Sequence, residues 1–157
     1  MNVLKNQDYK ADLEKLGVIS FVPKGNSMWP MLKNRGQSVI VEKKQNRLKL
    51  FDVGFFVRNN GAFVLHRVVK VLEDGYVFCG DSQLVLETIK EEQVFGIMTA
   101  FYQGKKCIDA RDEKYVKKVE RYYKHTRIRK FRIKCFLFRV RLINKLKRIF
   151  KVEDKNV

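Results

Sequence analysis

Short β-type segments separated by tight turns run from residue 18 to residue 109, and this alternation strongly constrains the fold. The predicted strands cover residues 18–22, 38–42, 51–58, 62–72, 76–78, 94–101 and 106–109. Asn59-Asn60-Gly61 and Asp74-Gly75 lie between strands, and Asn-Gly and Asp-Gly are strong hairpin signals because Asn, Asp and Gly tolerate positive φ. Short connections of this kind favour antiparallel neighbours. The sequence therefore predicts a small, mainly β domain built on an antiparallel sheet.

Helical patterns flank the β region on both sides. Residues 8–16 read as a short helix that ends at Gly17, which easily adopts a left-handed C-cap. From about residue 112 apolar residues recur at spacings of three and four, which is typical of one helix face. This apolar stripe comprises Ile128, Phe131, Cys135, Phe138, Leu142, Leu146 and Ile149. We expect a β domain over residues 1–111 and a basic amphipathic helix over residues 112–157.

Positive charge is concentrated in the C-terminal segment. Residues 111–157 hold 18 Lys and Arg against five Asp and Glu, whereas residues 1–110 hold 16 against 12. A segment with this charge is attracted to phosphate, on nucleic acid or on anionic lipid, although a solvated basic face is the simpler alternative. The residues expected to contact a membrane or another anion are Arg127, Lys130, Lys134, Arg141, Lys145 and Arg148.

The cysteines and the hydropathy pattern indicate a location. Cys79, Cys107 and Cys135 are odd in number and widely spaced, so free thiols in a reducing compartment are expected. No pair has metal-ligand spacing, and no metal or organic cofactor is expected. No run approaches the roughly 20 apolar residues that span a bilayer, and the first residues lack the apolar core of a secretory signal. We expect a protein of the cytoplasm, or of the cytoplasmic face of the membrane.

A serine, a histidine and an aspartate in the β region could form a catalytic group. Ser27 lies between Gly25 and Pro30, so its hydroxyl can project from a bent loop. A serine nucleophile needs a base, and His66 is the only histidine outside the basic segment. Asp81 could accept the second ring N–H of His66. The residues alone equally allow a turn serine, a core histidine bonded to a carbonyl group, and a turn aspartate.

Five short sequence boxes resemble signal peptidase I and its LexA-like relatives. Residues 25–32 resemble the nucleophile box Gly-x-Ser-Met-x-Pro, and residues 51–56 resemble the family's next strand. Residues 64–69, Val-Leu-His-Arg-Val-Val, resemble the base box, followed by Gly80-Asp81-Ser82 and by Gly96-Ile97-Met98. The resemblance covers residues 18–101 and keeps the family's order, with 39 residues from Ser27 to His66 and 15 more to Asp81.

The resemblance implies a Ser-His peptidase. His66-Arg67 is similar to the branch that comprises the endoplasmic-reticulum and sporulation-type signal peptidases, whereas bacterial signal peptidases and LexA-type repressors have a lysine as the base. Ser27 would be the nucleophile, His66 the general base, and Asp81 the residue that orients His66. Gly25, Met28 and Pro30 of the same box would contact the substrate or the oxyanion. Two departures are a missing membrane anchor and Gln37, which stands where the family usually has Asp.

Three functions follow as hypotheses. The first is a serine endopeptidase that processes a peptide or protein precursor of the signal or leader type, associated with the membrane through its basic segment and possessing a partner in the export machinery. The second is a non-catalytic protein on a peptidase fold that binds a membrane surface or an export partner. The third is a LexA-like DNA-associated regulator, although only about 17 residues precede the first strand and no Ala-Gly self-cleavage site lies upstream of Ser27.

Overall fold

The computed structural model describes residues 9–32 and 37–153, with side chains described as far as residue 146. The protein is mainly β, with one antiparallel sheet of eight strands and a C-terminal helix, as predicted. The strands are β1 (Val18–Phe21), β2 (Val39–Lys43), β3 (Val53–Val57), β4 (Phe63–Val71), β5 (Gly75–Cys79), β6 (Leu86–Lys90), β7 (Val94–Gln103) and β8 (Lys106–Asp109). The helices are α1 (Tyr9–Leu16), α2 (Glu113–Lys124) and α3 (Thr126–Glu153), and a 3-10 turn occupies Glu91–Gln93.

The chain divides into two compact units, Met1–Glu120 and Arg121–Val157. The first contains α1, the sheet and the start of α2, and the second contains the end of α2 and α3. In the sheet the order is β1-β2-β7-β3-β4-β5-β6, with β8 on the far end of β7. Every pairing is antiparallel. The long strand β7 therefore pairs with both β2 and β3, and it connects the β1–β2 side of the sheet to the β3–β6 side.

The Asn-Gly turn and the end of α1 have the left-handed glycine that the sequence predicts, whereas Gly75 of the Asp-Gly turn does not have a positive φ and is the first residue of β5. Gly61 has a φ of +79° and closes the β3–β4 hairpin, where the Arg58 N–H donates to the Ala62 carbonyl at 2.9 Å. Gly17 has a φ of +74° and ends α1, and its N–H donates to the Leu13 carbonyl at 2.9 Å. Because glycine lacks a Cβ, both positions take this left-handed conformation without steric cost.

One cluster in the core of the first unit consists of apolar and aromatic residues, most of them on strands. Its buried members are Leu48, Phe56, Val68, Tyr76, Phe78, Ile89 and Val94. His66 of β4 lies opposite Gly54 of β3 in the sheet register. A Cβ on Gly54 would lie 2.7 Å from the Phe78 ring and 2.8 Å from Leu48, so only glycine fits here. The core packs tightly across the strand that carries His66.

The C-terminal segment differs from the single helix expected over residues 112–157, because two helices meet at His125. Asp112 begins α2, since its Oδ1 accepts hydrogen bonds from the N–H groups of Lys114 at 2.9 Å and Tyr115 at 3.1 Å. Thr126 then begins α3, and its hydroxyl donates to the Tyr123 carbonyl at 3.4 Å. No Pro or Gly marks this junction, so the sequence gave no clear sign of a break between two helices.

Candidate active site

Ser27 lies in a loop that follows β1 and is anchored by buried neighbours. Gly25 enters this loop with a φ of +88°, which a residue with a side chain would adopt only with strain. The Trp29 N–H donates to the Asn26 carbonyl at 3.1 Å, which bends the chain around Ser27. Met28 is buried beside it, whereas Ser27 itself is half-buried. Buried apolar residues such as Met28 therefore anchor the loop, while Ser27 remains partly exposed.

The segment Gly80-Asp81-Ser82 holds this loop from the other side. The Ser82 N–H donates to the Ser27 carbonyl at 2.8 Å, and the Ser82 hydroxyl donates to the Asn26 carbonyl at 2.8 Å. A Cβ on Gly80 would lie 2.9 Å from the Ser27 carbonyl oxygen. Glycine at position 80 therefore allows the two segments to approach closely enough for both hydrogen bonds.

Asp81 forms a buried ion pair with Arg67. Arg67 Nε donates to Asp81 Oδ1 and Arg67 Nη2 donates to Asp81 Oδ2, each at 2.8 Å. Arg67 also donates to the Phe51 carbonyl at 2.8 Å and to the Tyr115 hydroxyl at 3.0 Å. Both charged side chains are 1% exposed or less. A bidentate pair with these additional bonds satisfies the buried charges and fixes the segment that carries Ser82.

His66 is buried and its ring contacts a glutamate of β6. His66 Nδ1 lies 2.8 Å from Glu87 Oε1, and the other carboxylate oxygen, Glu87 Oε2, accepts a hydrogen bond from Arg58 Nε at 2.6 Å. The His66 side chain is 3% exposed and that of Glu87 is 18% exposed. An ionised carboxylate accepts only, so Glu87 favours the tautomer with the proton on Nδ1 and leaves Nε2 as the acceptor.

Burial and the neighbouring charges have opposite effects on the pKa values of His66 and Glu87. Burial lowers the pKa of His66 below its usual value, and the neighbouring Glu87 charge offsets only part of that effect. The pKa of Glu87 lies below its usual value: burial raises it, but the hydrogen bond from Arg58 and the charges of His66 and Arg58 outweigh burial. At neutral pH the pair is therefore a neutral imidazole beside a carboxylate. A neutral imidazole is the protonation state that a general base requires.

Asp81 does not occupy the orienting position that the sequence analysis expected for it. The carboxylate in contact with the His66 ring is that of Glu87, because both oxygens of Asp81 accept hydrogen bonds from Arg67. Asp81 reaches Ser27 indirectly, through Ser82 of the same segment. Asp81 therefore helps to hold the loop that carries Ser27 and does not orient the His66 ring.

Ser27 and His66 line the same cleft, which has a volume of about 400 Å³. Gly25 and Met28 also line this cleft, whereas Pro30 and Asp81 are not among its lining residues. Its apolar wall is formed by Tyr9, Phe21, Phe55, Phe63 and Leu65. The first four rings pack on one another with centroids 5.0 to 5.9 Å apart. Such a cleft can take an apolar segment of chain near Ser27 and His66.

Glu87 and Arg58 are the site residues that sequence reasoning missed. Glu87 lies on β6, a strand that was not predicted because residues 86–90 contain only two apolar side chains, Leu86 and Ile89, of which only Ile89 is buried. Arg58 precedes the Asn-Asn-Gly turn and looked like an ordinary residue at a strand end. Leu86 and Ile89 are three residues apart and do not show the period of two that is typical of a strand, so no local pattern signalled the strand that carries Glu87.

The cationic residues expected to contact an anion lie on α3. Arg127, Lys130, Lys134, Arg141 and Lys145 are all exposed, and the side chain of Arg148 lies outside the described residues. Across the described part of the chain, no helix combines the length and apolar character needed to cross a membrane. No protein-family model matches the sequence, and no curated protein matches it either.

Proposed function

We propose that this protein is a serine endopeptidase of the signal-peptidase-like type, with Ser27 as nucleophile and His66 as general base. The observation that carries the proposal is the environment of His66. The imidazole is buried, held on Nδ1 by Glu87, and lines the cleft that Ser27 also lines. A histidine bonded to a carboxylate, in the cleft that a serine on a constrained loop also lines, supports a serine–histidine–carboxylate site for nucleophilic acyl transfer. The order of the five sequence boxes supports the same reading.

In this mechanism the Ser27 hydroxyl attacks the scissile carbonyl while His66 Nε2 takes its proton. The imidazolium that forms is stabilised by Glu87, whose own charge is held by Arg58. His66 then protonates the leaving amine, and water hydrolyses the acyl-enzyme with His66 again acting as base. The backbone N–H of Ser27 contributes to the oxyanion hole. Gly25 offers no side-chain hydroxyl for that hole, so backbone groups must stabilise the oxyanion.

The substrate is a precursor peptide or protein presented in an extended form. The aromatic wall of the cleft favours apolar side chains near the cut. The family resemblance implies small residues just before the scissile bond. We place the activity in the maturation or export of such a precursor, on the cytoplasmic side of a membrane, with an export component as the partner. A transporter that co-purifies with the protein would support this setting.

Cleavage of a peptide library tests the proposal. The full-length protein is incubated with the library and with anionic vesicles, and the products are read by mass spectrometry. Products should appear with the wild type and with Ser20→Ala, a matched change on β1 outside the cleft, and should be lost with Ser27→Ala. Equal product formation by the wild type and Ser27→Ala would contradict the assignment of the nucleophile.

A non-catalytic membrane-surface protein is the second candidate, and the exposed basic and apolar face of α3 favours it. The two candidate functions lead to different expectations for the reactivity of Ser27. If a serine-directed probe fails to modify Ser27 while the protein still binds anionic vesicles, the non-catalytic function is the correct one. If the probe modifies Ser27 and the library is cleaved, the peptidase is correct.

A further inference from the structure

The described part of α3 has one buried face. Ile133 is 1% exposed and Arg129 is 9% exposed, and Phe136 and Val140 are half-buried at the next positions of the same face. The spacings of four, three and four residues place these side chains in one row along the helix. The guanidinium of Arg129 stacks on the Tyr123 ring, 4.5 Å from its centroid. Arg129 is therefore engaged within its own unit and does not belong to the exposed basic surface.

A second apolar row lies on the exposed surface of α3, and we call it the exposed stripe. Its members and their exposed fractions are Ile128 (57%), Phe131 (68%), Phe138 (68%), Leu142 (48%) and Leu146 (45%). Cys135 lies between Phe131 and Phe138 and is also exposed. These are six of the seven residues that the 3–4 spacing picked out, and Ile149 lies outside the described side chains. A contiguous apolar row of this length indicates a surface that a partner covers.

Cations border the exposed stripe on both sides. On helical spacing, Arg132 and Arg139 lie along one border and Arg127, Lys134 and Lys145 along the other, and all five are exposed. From residue 121 to residue 152 the sequence contains 13 Lys and Arg and no Asp or Glu. The surface that covers the stripe must therefore be apolar in its centre and anionic at its edges.

We infer that α3 lies on the surface of a bilayer rich in anionic phospholipid. The exposed stripe enters the boundary between headgroups and acyl chains, and the flanking cations contact the lipid phosphates. A bilayer provides both chemistries over the whole length of the helix. A nucleic acid would match the cations but would leave the Phe131 and Phe138 rings in contact with phosphates and water. The inference does not depend on catalysis, because no residue of the cleft takes part in it.

Vesicle flotation of the full-length protein tests this inference. One vesicle preparation contains phosphatidylcholine alone, and the other contains equal parts of phosphatidylcholine and phosphatidylglycerol. The protein should float with the second preparation only, and added salt should weaken but not abolish that binding because the apolar contribution remains. Ser27→Ala should float like the wild type, so a failure of binding can be told apart from a failure of the proposed peptidase activity.

Two variants separate the apolar contribution from the charge. Phe131→Ser with Phe138→Ser removes the two most exposed rings and should lower partitioning on the order of 100-fold, since each buried ring contributes on the order of tenfold. Arg127→Gln with Lys134→Gln should lower partitioning on the order of 30-fold. The matched controls are Val85→Ser, an exposed apolar residue of the sheet unit, and Lys105→Gln with Lys106→Gln at the β7–β8 turn. Both controls should float like the wild type.

Circular dichroism is used to confirm that each variant keeps its helix content before its flotation is compared with that of the wild type. Flotation unchanged by the Phe131 and Phe138 substitutions, or equal on the two vesicle preparations, would overturn the inference. Tight binding to duplex DNA with a steep salt dependence, together with no flotation, would also overturn it and assign the basic surface to nucleic acid.

Discussion

At the scale of single residues, the two carboxylates near the serine and the histidine have different tasks. Glu87 contacts the imidazole, whereas Asp81 is committed to Arg67 and through Ser82 to the serine loop. Ser27 and His66 could be chosen from the sequence because only one histidine lies in the β region and its spacing to the serine resembles a known family. The carboxylate that contacts His66 could not be chosen in this way, because Glu87 lies on β6, which pairs with β5 and was not predicted as a strand.

Glu87→Gln should change the pH dependence of the peptidase activity. The Glu87 charge raises the pKa of His66 against the larger lowering by burial. Removing that charge should lower the pKa of His66 further, so the acid limb of kcat/KM should move to lower pH while kcat falls. The check is a pH–rate profile of both proteins. Thr88→Ala, an exposed change on the same strand, should leave the profile in place, and an unshifted profile for Glu87→Gln would refute the role of Glu87.

Arg67→Met should cost stability without a comparable change in the pH profile. Its loss leaves the Asp81 carboxylate buried without its partner, and breaking a buried pair of this kind costs about 3–5 kcal/mol. Urea unfolding measures the free energy of unfolding. Arg47→Met, a partly exposed cation elsewhere in the sheet unit, should cost far less, and equal losses for the two variants would contradict the importance of the pair.

At the scale of elements, the site depends on the hairpin of β5 and β6. The turn from residue 80 to residue 85 contacts the serine loop, and β6 then carries Glu87 to the histidine. Most strands were predictable from β-branched runs and Asn-Gly or Asp-Gly turns. β6 was not, because its two apolar residues, Leu86 and Ile89, do not alternate with polar ones, and the junction at His125 was not, because no Pro or Gly marks it.

Gly80→Ala should disturb the serine loop from outside the cleft. The added methyl group would lie 2.9 Å from the Ser27 carbonyl oxygen and 2.6 Å from Gln83 Oε1, so the two segments must separate. We expect a loss of roughly 1–3 kcal/mol in stability, as for other overpacked sites, and a lower kcat with Ser27 still in place. Thermal unfolding and single-turnover kinetics provide the measurements. Wild-type kinetics in Gly80→Ala would mean that the Gly80 contact does not position Ser27.

At the scale of the whole molecule, the chain combines a sheet unit of low net charge with a strongly basic helical unit. The mainly β class and the basic helix followed from sequence periodicity and charge. The exposure of the stripe could not be predicted from the sequence, because a 3–4 spacing identifies an apolar helix face but does not show whether that face is buried. Here six of the seven regularly spaced residues are exposed, whereas Ile133 of the other row is buried and Phe136 and Val140 are half-buried.

Stability of the whole protein should fall as the pH falls below about 6.5, the usual pKa of histidine. Burial lowers the pKa of His66 in the folded state, so the unfolded chain binds more protons in this range and acid favours unfolding. Thermal unfolding from about pH 7.5 to pH 5.5 measures the effect, with about 1.4 kcal/mol for each unit of pKa difference. His66→Gln should show a weaker dependence on pH, and an identical dependence would show that His66 does not titrate in this way.

The most direct measurement is the covalent labelling of Ser27 by a fluorophosphonate probe, with the modified residue identified by mass spectrometry. We expect label on Ser27 in the wild type, much slower labelling in Glu87→Gln, and none in His66→Asn that remains folded by circular dichroism. The predicted order follows from a serine activated by His66, which Glu87 holds. Labelling of Ser27 at the same rate in all three proteins, or no label on Ser27 in the wild type, would contradict the proposal that Ser27 is a nucleophile activated by His66.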